Sequence, residues 1–197
     1  NVYAVMWRET RDKDGNVKFD YVLYVFDQNY NIKLVSVLDF LIGKCTDPNV
    51  AANKNQNLIM CLDNQVYVTD NTGKLISQFE RDGDSVGSLD ISNNNDIMLA
   101  SYRDNAVEIY TTEGDLKSSI KIPEGHEVRR VAFHHGIGKI IVLTFDMELH
   151  SLFSLGYSET GELENSVLLS SDFFASKVKS HLNGTVAIQL GSSITLI

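Results

Sequence analysis

Gln65-Val66-Tyr67-Val68-Thr69-Asp70-Asn71-Thr72-Gly73-Lys74-Leu75-Ile76 reads as a strand, a tight turn and the start of a second strand. β-Branched and aromatic residues fill the first part, as in a strand with both faces partly covered. Asp70-Asn71-Thr72-Gly73 then supplies turn chemistry: short polar side chains that bond their own backbone, and a glycine able to take positive φ. The unit returns as Ala106-Val107-Glu108-Ile109-Tyr110-Thr111-Thr112-Glu113-Gly114-Asp115-Leu116-Lys117. It returns again as His150-Ser151-Leu152-Phe153-Ser154-Leu155 running on to Thr160-Gly161-Glu162-Leu163. A weaker early copy is Tyr24-Val25-Phe26-Asp27-Gln28-Asn29-Tyr30-Asn31, where Asn31 is expected in the glycine position because Asn tolerates positive φ. The anchors at 31, 73, 114 and 161 are spaced by 42, 41 and 47 residues.

A period of about 40 residues holding about four short strands is the spacing of a β-propeller blade; a helical solenoid would need helices in each period. No stretch carries a capped amphipathic helical pattern, and Leu168 to Val178 admits at most a short helical turn. The expected fold is all-β, a β-propeller of four-stranded antiparallel blades. Three blades are complete and two partial, forming part of a five- to seven-bladed ring. Approximate units run over 1–43, 44–83, 84–123, 124–171 and 172–197. The first partial unit has strands near 2–10, 19–27 and 33–40, and the last near 177–182, 185–190 and 193–197. A propeller disposes of its strand edges by closing, so the missing strands are expected from the same longer polypeptide or from a second subunit.

Two repeat families resemble parts of this pattern. Asp63-Asn64-Gln65-Val66-Tyr67-Val68 and Asp104-Asn105-Ala106-Val107-Glu108-Ile109-Tyr110, each leading to a glycine hairpin, resemble NHL-repeat blades. Asn105 stands at the family Asn, but the His and Arg of that motif are missing, so no family binding residue carries over. Gly125-His126-Glu127-Val128-Arg129-Arg130-Val131-Ala132-Phe133, with Asp146 beyond the next strand, resembles a WD-repeat blade without its Trp-Asp ending. That resemblance implies a scaffold role for His126 and Asp146 in a structural hydrogen-bond network. Members of both families mostly serve as docking platforms for proteins, and some NHL-type members bind RNA.

The chain has 197 residues, 43% hydrophobic and 22% charged, which is ordinary globular composition with room for a substantial core. Its formal charge of −9 opposes a chain-wide footprint for nucleic acid or anionic lipid. No apolar run reaches the length of a membrane span, so membrane insertion is not expected. Cys45 and Cys61 are too few and too far apart for a disulfide framework or a zinc site, and buried thiols are the expected state.

Catalytic and metal motifs fail on inspection. Asp12-Lys13-Asp14-Gly15-Asn16 begins like a calcium loop, but Val17 and Leu23 occupy the positions that need Gly and Glu, leaving a turn between strands. His134 and His135 are neighbours, which a strand sends to opposite faces. Gly136-Ile137-Gly138-Lys139 reads as a hairpin, and no nucleophile elbow is present. No cofactor is expected. The expected function is a non-enzymatic scaffold that docks a protein or peptide, one bearing basic residues in view of the acidic surface. RNA binding and a propeller enzyme with a central carboxylate or histidine pocket are the alternatives. Candidate interaction residues are Trp7, Arg8 and Arg11 in the aromatic first unit, the basic pair Arg129 and Arg130, and Phe173 with Phe174. Asn105, His126, Asp146, Gly73, Gly114 and Gly161 are expected to be structural.

Overall fold

A computed structural model describes residues 1–41, 48–83, 86–170, 175–181, 183–190 and 192–196. Every regular element among them is a strand. Blade 1 holds β1 (Val2–Arg11), β2 (Val17–Phe26) and β3 (Ile32–Val37). Blade 2 holds β4 (Asn49–Ala52), β5 (Leu58–Leu62), β6 (Gln65–Thr69) and β7 (Leu75–Glu80). Blade 3 holds β8 (Val86–Ile91), β9 (Ile97–Ser101), β10 (Ala106–Tyr110) and β11 (Leu116–Lys121). Blade 4 holds β12 (His126–His134), β13 (Lys139–Asp146), β14 (Ser151–Ser158) and β15 (Leu163–Ser170). Blade 5 holds β16 (Ala175–Ser180), β17 (Val186–Leu190) and β18 (Ser193–Leu196). Each blade is an antiparallel meander in chain order, and the five form a β-propeller.

The blades are held together face to face. Leu58-Ile59-Met60-Cys61-Leu62 is buried throughout because alternate side chains go to opposite sides. Leu58, Met60 and Leu62 join Tyr21, Leu23 and Val25 of blade 1, while Ile59 and Cys61 join Leu89, Ile97 and Leu99 of blade 3. Met98, Ala100 and Val107 meet Val131, Phe133 and Val142 between blades 3 and 4. Ala132 and Leu143 meet Val178, Val186 and Ile188 between blades 4 and 5. Each fully buried aliphatic side chain contributes about 1.5–3 kcal/mol, so these four seams dominate the stability.

The glycine turns tie one blade to the next. Gly73 and Gly114 have φ of 87° and 101°, and Asp70 Oδ1 accepts the N–H groups of Thr72 and Lys74 at 2.8 and 3.0 Å. A Cβ on Gly114 would lie 2.7 Å from Phe79 Cβ, and one on Gly73 2.8 Å from Leu38 Cδ2. Thus each turn leans on the end of the last strand of the preceding blade. In blade 1 the positive φ falls on Tyr30, at 60°, and not on the expected Asn31. Asp27 N–H donates to Asn31 O at 2.9 Å, so Asn31 stands where Lys74 stands in blade 2.

These turns also fix which strands correspond. Leu38 N–H donates to Tyr21 O, Arg81 N–H to Asn64 O and Ile122 N–H to Asn105 O, at 2.8, 3.0 and 3.1 Å. β3, β7 and β11 are therefore equivalent outermost strands, and β1 is the counterpart of β5, second from the axis. Among the described residues, blade 1 shows no innermost strand. Blade 5, whose β16 lies beside β12, shows no outermost one among them.

Candidate functional site: an axial cavity and a projecting arm

The innermost strands β4, β8, β12 and β16 lie beside one another around the axis. Together with the start of β1 they line a cavity of about 990 Å³. β16 is pinned across it: Lys179 Nζ donates to Val50 O at 3.1 Å and Ser180 Oγ to Asp90 Oδ2 at 2.6 Å. Asp90 also accepts the N–H of Phe133 at 2.8 Å and of Ile91 at 2.9 Å, so one carboxylate joins blades 3, 4 and 5. Burial pushes Asp90 above the ordinary carboxylate range, against those hydrogen bonds. Burial likewise pushes the Lys179 ammonium and the His135 imidazole below their usual values.

The second feature is an extension of blade 1. In blade 2 the second and third strands close at Leu62↔Gln65 through Asp63-Asn64, and Met6↔Val22 is the equivalent pair in blade 1. There the hairpin runs on through Trp7↔Tyr21, Arg8↔Asp20, Glu9↔Phe19, Thr10↔Lys18 and Arg11↔Val17. It forms an arm about 17 Å long, closed by a turn in which Asp12 Oδ1 accepts the N–H groups of Asp14 and Asn16, both at 2.9 Å. Alternation gives the arm two unlike faces. On one, Asp20 lies 3.8 Å from Arg8 and 3.2 Å from Lys18. On the other, the rings of Trp7 and Phe19 meet edge to face at 5.5 Å, with Trp7 39% exposed.

Trp7, Arg8 and Arg11 are thus brought together on the arm, with Arg11 3.3 Å from Glu9. Arg129 and Arg130 are separated. Arg129 pairs with Glu127 at 2.8 Å and lies over the Phe145 ring, whereas Arg130 lines the cavity, held by Tyr102. Phe173, Phe174 and Cys45 lie outside the described residues. Cys61 is a buried thiol, pushed up to about 12 by burial. Asn105 bridges blades 3 and 4, its Nδ2 donating to His126 O at 2.7 Å and its Oδ1 accepting Val128 N–H at 2.8 Å. His126 Nε2 lies 3.7 Å from Asp146 Oδ2 and its Nδ1 3.1 Å from Thr144 Oγ1. Gly161, φ 87°, repeats the Gly73 turn against Ile120.

Sequence reasoning passed over two buried charges. Arg81 is wholly enclosed between blades 2 and 3, its Nε donating to Glu108 Oε2 at 2.8 Å and its Nη2 to Ser101 Oγ at 3.0 Å. Tyr110 OH donates to the same Glu108 oxygen at 3.1 Å. Burial and the Glu108 charge push the Tyr110 hydroxyl up to about 12. The available signal was a lone acid inside an apolar strand: Glu108 in Ala106-Val107-Glu108-Ile109-Tyr110, and Asp90 between Leu89 and Ile91. Among the described residues no cluster of three His, Cys, Asp or Glu side chains is placed to hold a metal, and no helix is long and apolar enough to cross a membrane.

No protein-family model and no curated protein sequence matches the chain. Its shape is widely shared. A protein of unknown function from Bacteroides caccae matches with a TM-score of 0.61 at 14% identity, over 97% of this chain and 78% of that one. Virginiamycin B lyase from Staphylococcus aureus matches with a TM-score of 0.60 at 14% identity, over 96% of this chain and 65% of that one. The WD40 β-propeller domain of Doa1 matches with a TM-score of 0.61 at 15% identity, over 94% of this chain and 60% of that one. At these identities the likeness is one of fold. The chain spans less than two thirds of the length of the last two.

Proposed function

We propose that this propeller is a non-enzymatic scaffold that docks a protein or peptide on its blade-face loops, with the β1–β2 arm as the principal contact. The observation that carries this reading is the arm itself, which continues five residue pairs past the point where blade 2 turns back. A two-stranded ribbon held at one end by a rigid blade can present Trp7 and Phe19 as an aromatic anchor. Arg11 and Glu9 share that face and give the anchor a polar rim, while Arg8 and Lys18 put charge on the opposite face, the pattern of an interface hot spot. The acidic outer surface favours a partner with basic residues. RNA finds no comparable support, because Arg129 and Arg130 diverge and do not make a cationic face. We read 1–197 as one propeller or a portion of one, NHL- and WD-like in its turn chemistry. The strands that blades 1 and 5 lack would come from the same longer polypeptide or from a second subunit.

Quantitative affinity capture with the intact chain, compared with Trp7→Ala combined with Arg11→Ala, tests the reading. The double variant is expected to keep the fold by circular dichroism and to lose bound partner by roughly tenfold or more. Unchanged recovery of the same partner contradicts an arm-centred scaffold.

A further inference from the structure

The end of the ring that carries the arm carries a second feature. In blades 2 to 4 the turn between the second and third strands projects from that same end, because each blade is a meander in the same order and the β1–β2 hairpin is its counterpart in blade 1. The turn is Asp63-Asn64 in blade 2, Tyr102-Arg103-Asp104-Asn105 in blade 3 and Met147-Glu148-Leu149-His150 in blade 4. The last two have the same length and put positive φ on the same residue, Asn105 at 46° and His150 at 49°. One turn shape therefore accepts a largely polar sequence in blade 3 and two large apolar residues in blade 4, where Met147 is 49% and Leu149 64% exposed. The fold does not ask for apolar side chains there.

The blade 4 turn holds them out in a fixed position. Asp146 Oδ1 accepts the N–H groups of Glu148 and Leu149 at 2.9 and 2.8 Å, and Ser151 Oγ donates to Leu149 O at 2.9 Å. Those backbone donors hold the Asp146 carboxyl below its ordinary range. Met147 N–H donates to Gly125 O at 2.9 Å, which fastens the turn to the connection between β11 and β12 and brings in Glu124, the neighbour of Gly125. Glu124 and Glu148 are both exposed, and neither has an ion-pair partner among the described residues. Arg129, the base on the adjoining strand, is engaged by Glu127 at 2.8 Å and lies over the Phe145 ring. The surface around the two apolar side chains is thus left acidic, with its carboxylates free to pair.

We propose that the β13–β14 turn is a second docking site on the arm-bearing face, for a partner segment in which apolar side chains are flanked by Lys or Arg: Met147 and Leu149 receive the apolar side chains, and Glu124 and Glu148 pair with the flanking cations. Met147, unbranched and polarizable, suits an apolar contact of variable shape. A turn already fixed by its own hydrogen bonds loses little freedom on binding. The site adds to the scaffold reading and shares only a face with the arm.

Fluorescence anisotropy on the intact chain tests the proposal with three labelled peptides, Lys-Lys-Leu-Leu-Lys-Lys, Glu-Glu-Leu-Leu-Glu-Glu and Lys-Lys-Ser-Ser-Lys-Lys, at about 0.15 M salt so that long-range attraction to the acidic chain is screened. The first is expected to bind and the other two to bind roughly tenfold more weakly or not at all. Met147→Ser with Leu149→Ser, and separately Glu124→Gln with Glu148→Gln, should each weaken the first peptide by roughly tenfold. Asp115→Asn with Glu162→Gln, which removes equal charge at the opposite end of the ring, should leave it within about twofold. Trp7→Ala with Arg11→Ala should leave it unchanged as well, so that failure at the turn and failure at the arm are read separately. If the apolar double variant does not fold, the methyl resonance of Met147 in the parent takes its place, shifting with the first peptide and not with the other two. Absence of binding, equal binding of the three peptides, or indifference to the turn variants overturns the proposal. So does loss in the arm variant alone, which would assign the peptide to the arm.

Discussion

The seam between blades 2 and 3 and the arm of blade 1 both set arginines against acids, with opposite consequences. Arg81 is fully enclosed, its Nε donating to Glu108 and its Nη2 to Ser101 and Asp104. Burial works against its charge, and the hydrogen bond and charge of Glu108 outweigh that, raising its pKa. Arg8 and Arg11 carry similar pairs on side chains 54% and 67% exposed, where water competes for each contact. The first arrangement locks two blades in register and the second leaves charge available to a partner. Solvent access, more than residue type, separates structure from display in this molecule.

The largest effect should come from breaking the enclosed pair. Arg81→Met strands Glu108 in the seam and is expected to cost about 3–5 kcal/mol, read as a lower urea midpoint at unchanged slope. Adding Glu108→Leu should recover part of that loss. A single variant within about 1 kcal/mol of the parent would mean that the seam is wetter than its geometry indicates. Next, Gly114→Ala forces a side chain into positive φ and against Phe79, and a loss of about 2 kcal/mol in the same titration is expected. Gly161→Ala, with Ile120 Cγ1 at 3.1 Å, should cost less.

Asp90 lies between the two extremes, hydrogen-bonded but incompletely compensated. Its folded-state pKa is raised above the ordinary 3.8, so as pH rises from there the unfolded chain deprotonates first and the folded state loses relative stability until the raised value is passed. Asp90→Asn keeps an oxygen for Phe133 N–H and Ser180 and removes that loss. Urea midpoints taken stepwise from about pH 4 to pH 8 should therefore fall less steeply with pH in the variant than in the parent. Parallel profiles would show that Asp90 ionises normally in place. The smallest effect belongs to the arm: Arg8→Ala and Arg11→Ala should each change stability by no more than about 0.5 kcal/mol, while weakening partner capture.

The sequence carries the blades more clearly than the sites. Gly73, Gly114 and Gly161 announce the repeat because each must take positive φ and also admit the preceding blade at van der Waals distance, two demands that only glycine meets together. Tyr30 satisfies the first demand at the cost of strain, which is why the early copy reads one residue out of register. The aromatic first unit makes Trp7 a candidate contact, but the arm shows only in the register that carries the β1–β2 hairpin past Met6↔Val22. Asp90 and Arg81 stay hidden for a different reason. Their partners lie 90 residues away at Ser180 and 27 away at Glu108, distances over which no local pattern fixes a contact. The cavity is hidden for the same reason, because Lys54, Arg130 and Lys179 meet only once the blades are arranged about an axis.

Strand-resolved hydrogen exchange on the chain alone bears most directly on the architecture that all of this rests on. If blades 2 to 4 are complete and blades 1 and 5 each lack a strand among the described residues, β5, β6, β9, β10, β13 and β14 exchange slowest as one cooperative group. β1 along the cavity and β18 at the outer edge then exchange orders of magnitude faster. Equally slow exchange at β1 and β18 would contradict the account, since both edges would then be paired.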